Sequence, residues 1–540
     1  MAGTSGTTGA RLLIDALARA GATRIFSLSG NQILPVYDAA LDAGIAVTDT
    51  RHESAAAHMA DAWARLRDEP GICLVTAAPG HTNALTGVAT AFFAESPVLW
   101  LSGGSEAAHL GMGGFQELDQ TTIAGPVTKA AWRAERADEI PALVARAWQT
   151  MQEGRPGPVH LTLPADVLRE TIAEAPAPPP GDAFQPRRRP PAAGSVARAV
   201  AILAEATRPL LLASPAVTRG AAEQRLRELN ALTGIPWFPL ESPRGLQDPV
   251  LQGRGAAVRR ADAVLLLAPQ DFVIGFARPE VFAPGCRLIQ LAPDAAELAS
   301  NAPIELGLVG DAEPALAALL EAAREHHWRT AGWRDEIEEM RQRAHARLAP
   351  EERSEAVPIH PLRLAAELRA VLPKGASMAQ DGGEFGQWAR WELGRDDYEV
   401  VVNGKFGSIG SAIPFAIGAK LARPDAPSVC CLGDGTFGFH AMEFDTAVRH
   451  GIPFVAVVGN DAAWSAERHR QLTLYGADRI VASDLLPTRY DGLARALGGY
   501  GELVEQPDEI RPALERALAS GRPACVNVMI QGLPSPAALP

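Results

Sequence analysis

The feature that most restricts the fold of this chain is an alternation, sustained from one end to the other, of short apolar runs with longer stretches of helical period. A run that is apolar at every position, rather than at alternate ones, is buried on both faces, and such strands belong to parallel sheets covered by helices. A first block supplies TRIFSLSG, VTDT, GICLVTAAPG, PVLWLSGG and PVHLTLPADV, with Ala-rich helical stretches between them. A middle block supplies RPLLLASP, GIPWFPL, ADAVLLLAP and CRLIQLAP, and a last block ASMAQDGG, PSVCCLGDG, PFVAVVGND and PACVNVMIQ. Two segments interrupt the pattern. Ala173 to Ser195 (AEAPAPPPGDAFQPRRRPPAAGS) is stiffened by prolines that also remove donors, and Leu348 to Pro361 follows a highly charged helical stretch. The expected fold is α/β, with three doubly wound parallel-sheet domains at residues 1–172, 196–345 and 358–540. A chain of 540 residues is also too long for one core.

Composition removes several classes of function. Hydrophobic residues at 47% and charged residues at 21% exclude a disordered or fibrous chain. Asp and Glu outnumber Lys and Arg by 63 to 50, and a net charge of -13 repels a phosphate backbone, so no nucleic-acid partner is expected. The five cysteines are scattered without a CxxC pair, which argues against a disulfide framework and a zinc site. MAGTSGTTGARLL has no charged region followed by an apolar stretch, and no apolar run approaches about 18 residues. A cytoplasmic protein with no membrane span is expected.

Parallel sheets bind ligands at the carboxyl ends of their strands, and the motifs lie there. Gly433-Asp434-Gly435 directly follows the run PSVCCL and precedes a helical stretch. Glycines let the backbone turn and approach a ligand, the helix start favours an anion, and an aspartate beside that anion makes sense with a hard cation such as Mg2+ between them. Asn460-Asp461 stands 27 residues beyond Asp434, counted to Asp461, again at a strand end, and a right-handed crossover brings the two ends together. The plainer alternative is that both aspartates cap local turns.

The span GDGTFGFHAMEFDTAVRHGIPFVAVVGND resembles the diphosphate-and-magnesium motif of thiamine diphosphate enzymes. The resemblance implies that Asp434, Asp461 and the carbonyl near Ala463 hold Mg2+, with Gly433, Gly435 and Thr436 at the cofactor. Asp461 departs from the asparagine usual in that family, and its extra charge should alter metal affinity. Arg51-His52-Glu53 resembles the family's glutamate motif, which implies that Glu53 hydrogen-bonds the cofactor's aminopyrimidine ring; a lone glutamate there could otherwise simply offset a helix dipole. Ala78-Pro79-Gly80-His81-Thr82-Asn83 resembles the loop that packs against pyrimidine and substrate, and Phe115-Gln116-Glu117 a loop whose glutamine reaches the active site. Asn403 to Gly410 is similar to the segment that carries the wedge under the cofactor, placing Ile409 as wedge with Gly407 and Ser408 beside it; Asp381-Gly382-Gly383 resembles the loop on the diphosphate side. Ser29 and Gln32 close the first strand where benzaldehyde lyase carries histidines, and His81 and His469 are candidate proton carriers.

These motifs run from the first block to the last in the family's order, and the resemblance makes the domains pyrimidine-binding, central and diphosphate-binding. The implied function is a thiamine diphosphate- and Mg2+-dependent C–C bond lyase or carboligase, acetolactate synthase-like, acting on 2-oxo acids or aldehydes. Gln116, His81 and Gln32 would contact substrate. One alternative is thioester cleavage of the 2-hydroxyacyl-CoA lyase or oxalyl-CoA decarboxylase kind, against which MIQGLPSPAALP offers no Lys or Arg for CoA phosphates. Another is a non-catalytic cofactor-binding regulatory protein, against which the retained Glu53 speaks. The middle block lacks a GxGxxG turn, so the dinucleotide fingerprint for bound FAD or ADP is missing. The resemblance further implies a homodimer or homotetramer with active sites at the subunit interface and a small-molecule substrate.

Overall fold

The computed structural model describes residues 6–536; the first residues of the N-terminal segment and the end of MIQGLPSPAALP lie outside them. The chain forms two compact units. One comprises the residues up to Arg187 with Ile413–Pro424 and His440–Ile452, the other Arg188–Ala412, Asp425–Phe439 and the chain from Pro453 on.

The first unit is built on a six-stranded parallel sheet in the order Ala46–Asp49, Arg24–Ser27, Gly71–Val75, Val98–Gly104, Val159–Pro164, Ala130–Arg133. Three of its inner strands, Gly71–Val75, Val98–Gly104 and Val159–Pro164, are buried at every position, as continuous apolar runs require. Helices Glu53–Arg67 and Pro79–Phe93 leave the carboxyl ends of strands Ala46–Asp49 and Gly71–Val75. The first starts where the His52 ring accepts the Ser54 N–H and ends at Asp68 in the left-handed region. The two helices approach so closely at Gly87 that a Cβ there would stand 2.6 Å from that of Ala57 and 2.8 Å from the Ser54 carbonyl oxygen. Only glycine allows that approach. The short strands Thr7–Thr8 and Thr171–Ile172 pair antiparallel and tie the two ends of the block together.

The second unit carries two more parallel sheets. The central one has five strands in the order Trp237–Pro239, Pro209–Ala213, Ala263–Leu267, Arg287–Ala292, Leu306–Val309. The other has six, ordered Glu399–Val402, Ser377–Gln380, Ser428–Gly433, Val455–Asn460, Ala524–Met529, Tyr500–Val504. Each has an apolar core, with Leu211, Leu265 and Ile289 in one and Met378, Cys431, Val457 and Val526 in the other. The α/β class with three doubly wound parallel sheets is thus observed.

Six strands fall outside the sequence expectation: the short Thr7–Thr8 and Thr171–Ile172, and, within the parallel sheets, Ala130–Arg133, Leu306–Val309, Glu399–Val402 and Tyr500–Val504. The proline-rich break carries regular structure of its own. It contains a helical turn at Gly181–Phe184 with Phe184 buried in the first core, and helix Ala193–Glu205 begins inside it. The five cysteines are unpaired, and no helix among the described residues is long and apolar enough to cross a membrane.

Candidate active site

In each unit, sequence-predicted site residues gather at the carboxyl edge of one sheet. In the first unit Glu53 is buried at the start of helix Glu53–Arg67, and Asn83 on the neighbouring helix donates to its Oε2 at 3.0 Å. The preceding turn is held from elsewhere in the chain: the Arg51 N–H donates to both oxygens of Glu443, at 3.0 and 3.2 Å. Ser54 Oγ lies 2.7 Å from ring nitrogens of both His52 and His440. Gln32 and Gln116, distant in sequence, are joined: Gln32 Nε2 donates to Gln116 Oε1 at 2.8 Å, while Thr76 Oγ1 donates to Gln32 Oε1 at 2.5 Å. Gly30 permits this arrangement, since a Cβ there would be 2.3 Å from Thr76. Ser29 is exposed nearby.

His81 does not join this cluster as a proton carrier. It is fully buried, stacks on Trp100 with ring centroids 4.0 Å apart, and has Nδ1 3.0 Å from Ser102 Oγ. Burial pushes its pKa down to about 3, so the ring stays neutral and acts as core. The alternation of buried and exposed positions along helix Pro79–Phe93 turns His81 inward while Asn83 is exposed.

In the second unit a cavity of about 130 Å3 opens at the ends of strands Ser428–Gly433 and Val455–Asn460. Gly383 to Phe385, Ile409, Gly433 to Thr436, Gly459, Asp461 and Ala463 to Glu467 line it. Asp434 and Asp461 therefore meet. Asp434 is 2% exposed, and its Oδ2 has no hydrogen-bond partner. Burial and the neighbouring Asp461 charge push its pKa up to about 7; burial raises that of Asp461 as well, against a 2.5 Å hydrogen bond from Ser465 Oγ. Two buried carboxylates with an orphaned oxygen are a costly arrangement alone and a fitting donor set for a hard divalent cation. The first turns of helices Gly383–Glu392 and Ser465–Tyr475 face the same space, which suits an anion. The residues present fit a diphosphate held through a metal.

The flanking loops set the shape. Asp381, missed as a functional residue, is 1% exposed and accepts backbone N–H groups of Gly382 at 2.7 Å, Gly410 at 2.9 and 3.2 Å, and Ala412 at 3.1 Å. Burial outweighs these donors and pushes its pKa up to about 6. This carboxylate fastens the segment carrying Ile409 to the loop at Gly382, where a Cβ would stand 2.8 Å from Ile409 Cγ2. Gly382, Gly407 and Ser408 flank the cavity without lining it. His469 does not line it either; its Nδ1 is 3.4 Å from Glu384 Oε1 and its Nε2 3.1 Å from the Gly532 carbonyl oxygen. Trp464 and Ser465, which do line the cavity, carried no motif. Gly435 was readable as a loop glycine, but only the structure shows that a Cβ there would lie 2.6 Å from the Trp464 ring.

Three parallel sheets, with polar clusters at strand ends and an acidic cavity suited to a metal-bound diphosphate, define a multi-domain α/β cofactor enzyme. Comparison with known proteins narrows that class. Residues 7–123 match the N-terminal TPP binding domain of thiamine pyrophosphate enzymes, residues 196–319 their central domain and residues 381–528 their C-terminal TPP binding domain. An acetolactate synthase large subunit of Mycobacterium tuberculosis is 37% identical over 96% of this chain and 95% of its own length. A 2-hydroxyacyl-CoA lyase 2 of Bos taurus is 33% identical over 94% of this chain and 88% of its own, and a probable acetolactate synthase large subunit of Methanocaldococcus jannaschii 31% over 97% and 92%. The chain belongs to the thiamine pyrophosphate enzyme family. It is a thiamine diphosphate-dependent enzyme of the carboligase and lyase group, which sets aside a purely regulatory role.

Proposed function

We propose that this enzyme decarboxylates a 2-oxo acid and joins the remainder to a second carbonyl, as the acetolactate synthase name of its relatives describes, with Mg2+ as the second cofactor. The observation that carries the reading is the 37% identity to an acetolactate synthase across nearly the whole of both chains. The chemistry supplied by bound thiamine diphosphate is the stabilisation of negative charge at a former carbonyl carbon. The rest falls to this chain. Glu53, held by Asn83 and shielded from water, would take a hydrogen bond from the aminopyrimidine and hold a proton there. Asp434, Asp461 and the Ala463 carbonyl would hold Mg2+, whose charge offsets the carboxylate pair and the diphosphate. Ile409 would give the cofactor an apolar rest, set in place by Asp381 and Gly382; Gly383, Gly433, Gly435 and Thr436 leave room for the diphosphate. The Gln32–Gln116 amide pair would orient the substrate's oxygens.

The domain assignment 1–172, 196–345 and 358–540 is part of the proposal, as is a homodimer or homotetramer with active sites at the subunit interface. Exposed Met112 and Phe115 in one unit and Leu474, Tyr475, Val481 and Leu486 in the other support association. Unpaired thiols support a reducing, cytoplasmic compartment.

A second reading is cleavage of a 2-hydroxyacyl-CoA, favoured by the 33% identity to the bovine lyase. Mass spectrometry of products formed from pyruvate and from a 2-hydroxyacyl-CoA, each with thiamine diphosphate and Mg2+, separates the two. A carboligation product from pyruvate supports the first reading, and turnover of the thioester alone overturns it.

A further inference from the structure

A second cavity, of about 410 Å3, lies between the edge strand Trp237–Pro239 of the central sheet and the end of helix Gly383–Glu392, within the second unit. It shares no lining residue with the cavity at Asp434. Its volume is that of a small-molecule site. Six arginines line it, and five have carboxylate partners: Arg227 with Glu223, Arg341 with Glu338, Arg369 with Glu392, Arg390 with Asp248 and Arg395 with Glu241.

Arg254 is different. Its guanidinium donates only to carbonyl oxygens of its own turn, Leu251 at 2.9 Å and Val250 at 3.3 Å, and among the described residues no carboxylate lies within ion-pair distance. Burial lowers its pKa against the opposing pull of the Asp396 and Glu338 charges, neither of which pairs with it; Asp396 also lines the cavity. Two more lining groups are unpartnered. The Trp391 indole N–H is buried on a residue 3% exposed, and His345 Nε2 is likewise without a partner. Trp237 and Phe238 supply flat apolar wall beside them. Glu392 also faces this space with one oxygen unpartnered, and its other oxygen is held by Arg369 at 2.7 Å. A guanidinium with no ion-pair partner, an unpartnered indole N–H and an unpartnered imidazole nitrogen around one cavity call for an acceptor-rich ligand, against the carboxylates of Glu392, Asp396 and Asp397 that share the lining.

We propose that this cavity binds a small organic anion, with its phosphate or carboxylate on Arg254 and the Trp391 N–H and its apolar body against Trp237 and Phe238. The ligand is an effector rather than a substrate, since the site is separate from the one assigned to the cofactor. The proposal does not depend on which reaction the enzyme catalyses.

Calorimetric titration of the full-length enzyme, saturated with thiamine diphosphate and Mg2+ so that the cofactor cavity is filled, tests it with phenyl phosphate, benzoate and the neutral benzyl alcohol. Saturable binding of phenyl phosphate alone identifies a phosphate site, and binding of benzoate a carboxylate site. Arg254→Met should weaken whichever anion binds about tenfold or more, and Trp391→Phe, which removes the N–H donor together with part of the ring, about threefold or more. Absence of saturable binding by either anion up to about 10 mM, a concentration that exposes even weak sites, overturns the proposal. So does equal binding of benzyl alcohol, or an unchanged affinity in both variants. Should Arg254→Met fail to fold, Trp391→Phe and the neutral probe still decide.

Discussion

Glu443 offers the sharpest test of the electrostatics around the glutamate turn. Its side chain is 1% exposed, takes the Arg51 N–H on both oxygens and receives the Thr446 hydroxyl at 2.6 Å. Burial outweighs these donors and pushes its pKa from 4.5 up to about 7. At about 1.4 kcal/mol per pH unit, the folded state disfavours the carboxylate by about 3 kcal/mol relative to the unfolded chain. Because the folded pKa lies above the unfolded one, the stability linked to this group is fully present below 4.5 and is lost as pH rises through about 7. Glu443→Gln keeps a carbonyl oxygen for Arg51 and removes the titration. The stability of the variant minus that of the wild type should therefore rise by about 2.5 kcal/mol between pH 5 and pH 8.5. One lost acceptor costs about 1 kcal/mol, which sets the starting point but not the slope. Urea unfolding of the cofactor-free enzyme at a series of pH values reads the difference directly. Parallel profiles for the two proteins would refute the reasoning, since they would mean that Glu443 stays ionised at no cost.

Glu53→Gln should lower turnover by about 10²- to 10⁴-fold while calorimetry still shows metal-dependent cofactor binding; wild-type activity in the variant contradicts the assigned role. Asp434→Asn should weaken Mg2+-dependent binding of thiamine diphosphate by at least about 100-fold, and unchanged metal dependence in the same titration removes Asp434 from the ligand set. Asp461→Asn leaves an oxygen ligand in place and should retain binding, whereas Asp461→Ala should not; calorimetry that ranks the two equally argues against Asp461 as a ligand. Gly435→Ala forces a Cβ to within 2.6 Å of the Trp464 ring and should cost about 1–3 kcal/mol in unfolding experiments, together with cofactor affinity.

The fold was legible wherever burial writes itself into the sequence. Strands such as Cys430–Leu432 or Leu265–Leu267 are covered on both faces, so each is a continuous apolar run. The four strands of the parallel sheets that escaped, Ala130–Arg133, Leu306–Val309, Glu399–Val402 and Tyr500–Val504, are all at sheet edges. An edge strand is covered less and can carry charge, as Arg133, Glu399 and Glu502 do, which erases the run. The same contrast governs the candidate site. Gly433, Asp434 and Asp461 stand at the ends of legible strands, so their meeting could be anticipated from topology alone. Asp381, Thr76 and Glu443 act through long-range hydrogen bonds, and nothing in their local sequence marks which backbone or side chain they will reach.

The least legible features are turns that residues other than glycine hold in the left-handed half of backbone space. Ala78, Gln116 and Ala462 have φ of +47°, +58° and +55°. Each costs about 1–3 kcal/mol unless its surroundings fix it, and here they do. Ala78 donates its N–H to Gln120 Oε1 at 2.8 Å, and Gln120 is in turn anchored to the Gly103 carbonyl at 3.0 Å. Gln116 is gripped through its side chain by Gln32. Ala462 donates to Asn460 Oδ1 at 3.2 Å and accepts from the Leu485 N–H at 2.7 Å. All three adjoin site residues: Ala78 begins the loop to Asn83, Gln116 is itself a candidate, and Ala462 separates Asp461 from Ala463. A relaxed backbone at Ala462 would turn the Ala463 carbonyl and the Asp461 carboxylate differently, so the geometry that suits a metal is maintained by the buried Asn460 side chain against local preference. Sequence propensity fails at these positions because the site requires conformations that the local residues do not favour.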